Sequence, residues 1–342
     1  MRLFSLVGSE IVDEQGDLKM KTLISVALSL LLVFAVCGSL AQGDGFVPNS
    51  RNIPAVLEEI PSNYYEPAEQ AGQMVRLDYM TWESFTYEDK VQQLSKTAWV
   101  YLPYDYTDEQ QYNVFYFMHG GWSNQTTQLG TDERPSALKH VIDHAIADGR
   151  MKPMIIVCPT YNNTSPEDSG DYGLAIQLTD QYHNELLHDL MPTVEGKYST
   201  YAQDTTPEGL RASRDHRSFG GFSMGSVTTW RTFEHCLDYF RYFMPSSGNL
   251  TTNAAYMDAI VRESDYDWND YFIFACSGTE DFAYRAFKMQ IDNMAASPSG
   301  YFRLADNERD GSMAYREKEG YAHDGRAMME YIYNGLCWIW NP

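Results

Sequence analysis

From Met74 the apolar and polar positions fall into strand-like runs: "MVRLDYMTW", then "KTAWVYLP", then "NVFYFMHGG" after the turn-rich "YDYTDEQQ". Next come a helical stretch around Ala137 to Ala147, the buried strand "PMIIVCPT", and a long amphipathic segment. In that segment Leu174, Leu178, Tyr182, Leu186 and Leu190 recur near helical spacing. The alternation continues with "HRSFGGF" as a strand, "GSVTTWRTFEHC" as a helix, "FRYFMPSS" as a strand and Ala254 to Arg262 as a helix. "YFIFACSG" then reads as a strand, Phe282 to Ala296 as a helix, "YFRLA" as a strand and Gly325 to Trp338 as a helix. Continuous apolar strands set between helices predict an α/β architecture with a mostly parallel sheet covered on both faces. No linker rich in Pro, Gly or Ser divides this region and no repeat recurs, so residues 72–342 are expected to form one domain, preceded by a surface leader over 42–71.

Before that leader the pattern is different. "MKTLISVALSLLLVFAVCGSLAQ", beginning at Met20, carries a short basic start (Lys19, Lys21), an apolar run from Leu23 to Val36 too short for a comfortable membrane span, and small residues around Ala41. Residues 1–41 are therefore expected to be an extension plus a secretory signal, with Met20 the true initiator, cleavage after Ala41, and no stable membrane insertion once it is removed. Bulky Val36 argues against a lipid anchor on Cys37.

Composition narrows the function. A 44% hydrophobic and 14% aromatic chain of 342 residues is globular. Its formal charge of −22 sets the overall field against phosphate backbones, so nucleic acid is excluded as an expected partner. Removing residues 1–41, three bases against four acids, leaves the exported chain near −21. Cys158, Cys236, Cys276 and Cys337 remain, with no C-x-x-C pair, and are expected to be buried free thiols, one disulfide being the alternative that export allows.

The candidate chemistry begins at "GGFSMGS". Gly221-Phe222-Ser223-Met224-Gly225 is a G-x-S-x-G pattern at a strand-to-helix junction, where a sharp turn lifts a serine hydroxyl above the sheet. A serine needs a base, normally a histidine oriented by a carboxylate. Two histidines follow it: His235 lies on the outgoing helix and points away, whereas His323, in "EGYAHDG", sits in a loop that can reach over the serine. For the acid, Asp281 in "SGTEDF" follows a buried strand, with Glu280 the competitor and Asp324 weaker because adjacent side chains rarely face each other. Two backbone donors are needed for the oxyanion. Met224 supplies one by elbow geometry, and the Gly121 amide after "FYFMHGG" the other, with Trp122 next in line; His119 is read as a brace for that loop. No metal or organic cofactor is required.

With these residues placed, the chain resembles carbohydrate esterase family 1, particularly secreted feruloyl esterases of plant-cell-wall degraders, and more distantly esterase D and the mycolyltransferases. The likeness is carried by "VYLPYDY", "YNVFYFMHGG", "GRMKPMIIVCPTYN", "HRSFGGFSMGS", "FACSGTEDF" and "GYAHD", in that order. It implies an α/β-hydrolase fold, Ser223, Asp281 and His323 as triad, Gly121 and Met224 as oxyanion donors, and hydrolysis of plant polysaccharide esters such as feruloylated arabinoxylan. Acetyl xylan esterase and acyltransferase activities, or a non-catalytic carbohydrate-binding role, are the alternatives. Two departures bear on acyl specificity: Ser226 stands where relatives commonly carry a second glycine, and "GYAHDGRAM" lacks the Trp often found after the histidine. Trp122, Tyr161 and Tyr284 are candidates for an aromatic wall against a phenolic acyl group.

Overall fold

The computed structural model describes residues 46–341, so the signal segment and its expected cleavage after Ala41 lie outside the described residues. The strands are β1 (Gln73–Trp82), β2 (Gln93–Leu102), β3 (Asn113–Met118), β4 (Met154–Cys158), β5 (Arg217–Phe222), β6 (Tyr242–Ser246), β7 (Phe272–Gly278) and β8 (Met313–Lys318). Among the described residues these eight form one sheet in the order β1-β2-β4-β3-β5-β6-β7-β8. β1 and β2 pair antiparallel, as do β2 and β4, while every pairing from β4 through β3 and β5 to β8 is parallel. This is the expected α/β-hydrolase arrangement.

Burial follows each strand's composition. Every residue of β4, β6 and β7 is buried, because these apolar runs are covered on both faces. In β1, Leu77, Tyr79 and Thr81 are buried while Arg76, Asp78 and Met80 between them are exposed, as befits an edge strand with one wet face. The parallel strands need crossovers, supplied by helices including α1 (Ala137–Ala147), α2 (Tyr172–Glu185), α3 (Met191–Glu195), α4 (Pro207–Ala212), α5 (Met224–His235), α6 (Ala254–Arg262), α7 (Tyr284–Ala295) and α8 (Gly325–Trp338). The amphipathic segment after Tyr172 continues beyond α2 through a π turn at Leu186–Leu190 into α3. Leu186 and Leu190 stay buried through the turn. Arg217, at the start of β5, is buried with its guanidinium on the Glu195 carboxylate and Ser213 Oγ, which compensates a charge that would otherwise be costly in the core.

The last strand differs from the expectation. "YFRLA" forms only an isolated bridge at Leu304 beside β8, and the strand is "MAYREK" instead. Its charged residues hid it: Arg316 donates to the carbonyls of Ile53 and Pro54 and pairs with Asp306, and Lys318 pairs with Glu330. From Val47 the leader thus takes part in the fold. Residues from Val47 onward form a single compact unit, with no division at 71. Ile53, Leu57, Ile60 and Tyr64 are buried, and the leader's polar groups exchange hydrogen bonds with α8, as in Asn334 to Glu58 and Trp338 Nε1 to the Arg51 carbonyl. Among the described residues Cys158, Cys236, Cys276 and Cys337 are free thiols, the first three buried and Cys337 half-buried. Burial raises all four thiols well above the ordinary value, so they are inert rather than nucleophilic.

Candidate active site

Ser223 stands between β5 and α5 with φ 61° and ψ −120°, a left-handed backbone that a non-glycine residue adopts only when its surroundings enforce it. The enforcement is visible at its neighbours. A Cβ on Gly225 would lie 2.5 Å from the Met118 carbonyl oxygen, and one on Gly221 2.7 Å from the same oxygen and from the Gly225 carbonyl. β3, β5 and the start of α5 therefore meet where no side chain fits. Ser223 N donates to Ser246 O at 3.0 Å, tying the elbow to the end of β6. Ser226, the departure noted in the sequence, donates from Oγ to Gly248 O at 2.6 Å and so pins the adjacent β6 loop.

The loop after β3 lies beside the elbow, since Met118 pairs with Gly221 in the sheet. His119 is buried, its Nδ1 2.7 Å from Gly120 O and its Nε2 2.7 Å from Thr160 Oγ1. A carbonyl only accepts, so Nδ1 carries the proton and Nε2 accepts from the threonine hydroxyl. Tyr161 OH also donates to Gly120 O, at 3.0 Å. The Gly120 carbonyl and the Gly121 N–H belong to one trans peptide and point opposite ways. Two donors holding the carbonyl on one side therefore aim the Gly121 N–H to the other. Trp122 N is already spent on Ser169 O at 2.9 Å, whereas the Gly121 and Met224 amides have no hydrogen-bond acceptor among the described residues. His119 is thus the brace the sequence suggested, and burial lowers its pKa to about 4, keeping the ring neutral.

Asp281 follows β7 and His323 follows β8. His323 Nδ1 lies 2.8 Å from both Asp281 oxygens, and Asp281 Oδ1 also accepts from Ala283 N at 2.7 Å. The two loops close on each other at Gly278, where a Cβ would stand 2.1 Å from the Tyr321 carbonyl oxygen. Glu280 is exposed, and Asp324 caps α8 by accepting from Ala327 N. With Nδ1 engaged, Nε2 is the nitrogen left free to accept a proton. Gly120, Gly121, Ser223 and His323 line one cavity of about 310 Å³, whose apolar walls include Trp122, Phe222, Phe282 and Met328. All of these groups leave the carboxyl ends of parallel strands, where active sites of α/β sheets collect.

The family model "Putative esterase" matches residues 93–281, a span from β2 through the elbow to Asp281. The chain belongs to this esterase family. Endo-1,4-beta-xylanase Y of Acetivibrio thermocellus is 35% identical over 287 residues, 82% of the esterase but 24% of the xylanase, so the chain spans about a quarter of that relative's length. A feruloyl esterase module from Clostridium thermocellum, solved as a serine-to-alanine variant complexed with sinapinate, shares 33% identity and a TM-score of 0.73, covering 86% of this chain and 96% of that one. A family 1 ferulic acid esterase from Anaeromyces mucronatus, 19% identical with TM-score 0.60 over 83% of this chain and 98% of that one, shares the fold. The resemblance to carbohydrate esterase family 1 feruloyl esterases is therefore borne out.

Other groups in the esterase fall elsewhere. Tyr161 is buried behind the Gly120–Gly121 loop and Tyr284 bonds Glu317, so neither walls the cavity; of the three aromatics anticipated, Trp122 does. Phe222 and Phe282 take the missing places, each packed on the His323 ring at 4.4 and 4.2 Å between centroids. Phe282, 82% exposed, could have been found from its place beside the acid; Phe222 was hidden inside the G-x-S-x-G motif. His235 stacks on His183 at 4.2 Å, far along α5, in a separate acidic hollow with Glu234, Asp238 and Glu263. Among the described residues Asp180, Glu234 and His235 are spaced for a metal ion, but Arg231 Nη1 already sits 3.1 Å from Asp180 and 2.6 Å from Glu234.

Proposed function

We propose that this esterase releases hydroxycinnamic acids from plant cell-wall polysaccharide after secretion through its N-terminal signal. Ser223 attacks the ester carbonyl while His323 Nε2 takes its proton; Asp281 holds the imidazole through Nδ1 and stabilises its cationic form. The Gly121 and Met224 amides receive the oxyanion. His323 then protonates the departing sugar oxygen, leaving an acyl group on Ser223. Water, deprotonated by the same nitrogen, attacks that acyl-enzyme and frees the acid, and the proton returns to Ser223.

The observation that carries this reading is the cavity itself: a serine at a strained elbow and an Asp-held histidine share about 310 Å³ with the Phe222 and Phe282 rings, room and chemistry for a flat phenolic acyl group. The sinapinate held by the 33%-identical module supports the same acyl class, and feruloylated arabinoxylan fits it as substrate. Ser223→Ala should lower kcat on methyl ferulate by at least about 10³-fold while leaving the melting temperature near wild type. Substantial residual turnover in that variant would refute the assignment, and faster release of acetate from acetylated xylan than of ferulate would refute the acyl class.

A further inference from the structure

Trp122 is the least economical residue near the site. Its indole is 76% exposed and its backbone sits at φ 54°, two costs that ordinary packing does not explain. The strain is held in place deliberately: Trp122 N donates to Ser169 O, Ser123 N donates to Ser169 Oγ at 3.0 Å, and Ser169 Oγ and Asn162 Nδ2 both donate to Ser123 O. Ser169 and Asn162 are themselves buried, so the loop is braced from below while its aromatic ring stands out.

The ring separates two hollows. On one side lies the cavity of Ser223 and His323, with its largely apolar walls. On the other is a second hollow of about 360 Å³ formed by Trp122, Ser123, Asn124, Pro166, Glu167, Ser169 and Gly170. There the Ser123 hydroxyl, the Asn124 side-chain Nδ2 and the Glu167 carboxylate have no hydrogen-bond partner among the described residues, the Asn124 backbone N–H and Oδ1 being spent on Thr127 and Thr126. An ester has two ends. The Phe222 and Phe282 side suits an aromatic acyl group, while a flat ring face edged by unspent donors and acceptors suits a polyhydroxylated ring, whose C–H face packs on an indole and whose hydroxyls bond the rim.

We infer that Trp122 is the stacking platform of a leaving-group subsite, and that the hollow of Ser123, Asn124 and Glu167 holds a pentose of the polysaccharide next to the esterified sugar. The inference rests on the reading that the alcohol is a sugar, and makes Trp122 a specificity residue for that half of the substrate.

Two measurements test it. The first is the ratio of kcat/KM for a feruloylated arabinoxylo-oligosaccharide to kcat/KM for methyl ferulate, which should fall about tenfold in Trp122→Ala and be largely kept in Trp122→Phe. The second is calorimetric titration of Ser223→Ala protein with ester-free arabinoxylo-oligosaccharide, whose affinity should weaken about tenfold when Trp122→Ala is added. A ratio unchanged in Trp122→Ala, a phenylalanine variant as impaired as the alanine one, or oligosaccharide affinity independent of residue 122 would each overturn the subsite. Because the titration involves no hydrolysis, it reads the subsite even if the wild-type esterase proves to prefer another acyl group.

Discussion

Replacing His119 by glutamine should remove a pH dependence of stability that the wild-type structure builds in. The ring is fully buried, and burial, aided by the nearby Lys96 ammonium, outweighs the pull of the Gly120 carbonyl and lowers its pKa from 6.5 to about 4. Between those values the unfolded imidazole binds a proton that the native one refuses, so unfolding is favoured as pH falls. The stability due to the neutral ring is thus fully present above about pH 6.5 and is lost progressively as pH drops toward 4. Integrated from pH 7 to pH 4.5, that loss is about 2 kcal/mol, with about half of it gone by pH 5.5. At pH 7 the variant itself should be less stable by roughly 1–2 kcal/mol, since glutamine cannot keep both the Gly120 and Thr160 hydrogen bonds in place. Urea unfolding followed by tryptophan fluorescence, run on both proteins at several pH values, isolates the effect, because the other titrating groups cancel in the difference. The stability difference should shift by about 2 kcal/mol in the variant's favour on acidification, so that the pH 7 gap vanishes or reverses. A gap that stays constant within error from pH 7 to 4.5 would mean that the ring is not held neutral, and the account of the oxyanion loop would have to be abandoned.

Asp281→Asn keeps the shape of the acid but donates to His323 Nδ1, moving the imidazole proton to Nε2 where it cannot accept from Ser223; kcat should drop about 10⁴-fold with the fold intact, and a loss below tenfold in steady-state assays would reject Asp281 as the orienting group. Phe282→Ala removes an exposed ring packed on His323, so stability should change by no more than about 0.5 kcal/mol while the preference for methyl ferulate over an aryl acetate falls several-fold; an unchanged preference would remove Phe282 from the acyl wall.

Much of the site was legible in the chain because it is local. A G-x-S-x-G elbow writes its requirements into five consecutive residues, and the structure meets them through contacts of Gly221 and Gly225 with the end of β3. The parallel sheet was legible too, since β4 and most of β7 are apolar runs that need cover on both faces. β8 was not, because its charges are satisfied by partners outside the strand: leader carbonyls some 262 residues away for Arg316, and Glu330 of the following helix for Lys318.

By itself, then, the order of residues determined which groups could do the chemistry and on which strand ends they would stand, for these depend on periodicity and short-range sterics. Tertiary structure alone decided which aromatics line the cavity of Ser223 and His323, which amide beside Gly120 is left without a partner, and that the leader is woven into the last strand and helix. Each of those outcomes hangs on hydrogen bonds and packing between segments tens to hundreds of residues apart, and no local pattern encodes which of several chemically suitable groups will arrive first at a shared, desolvated position.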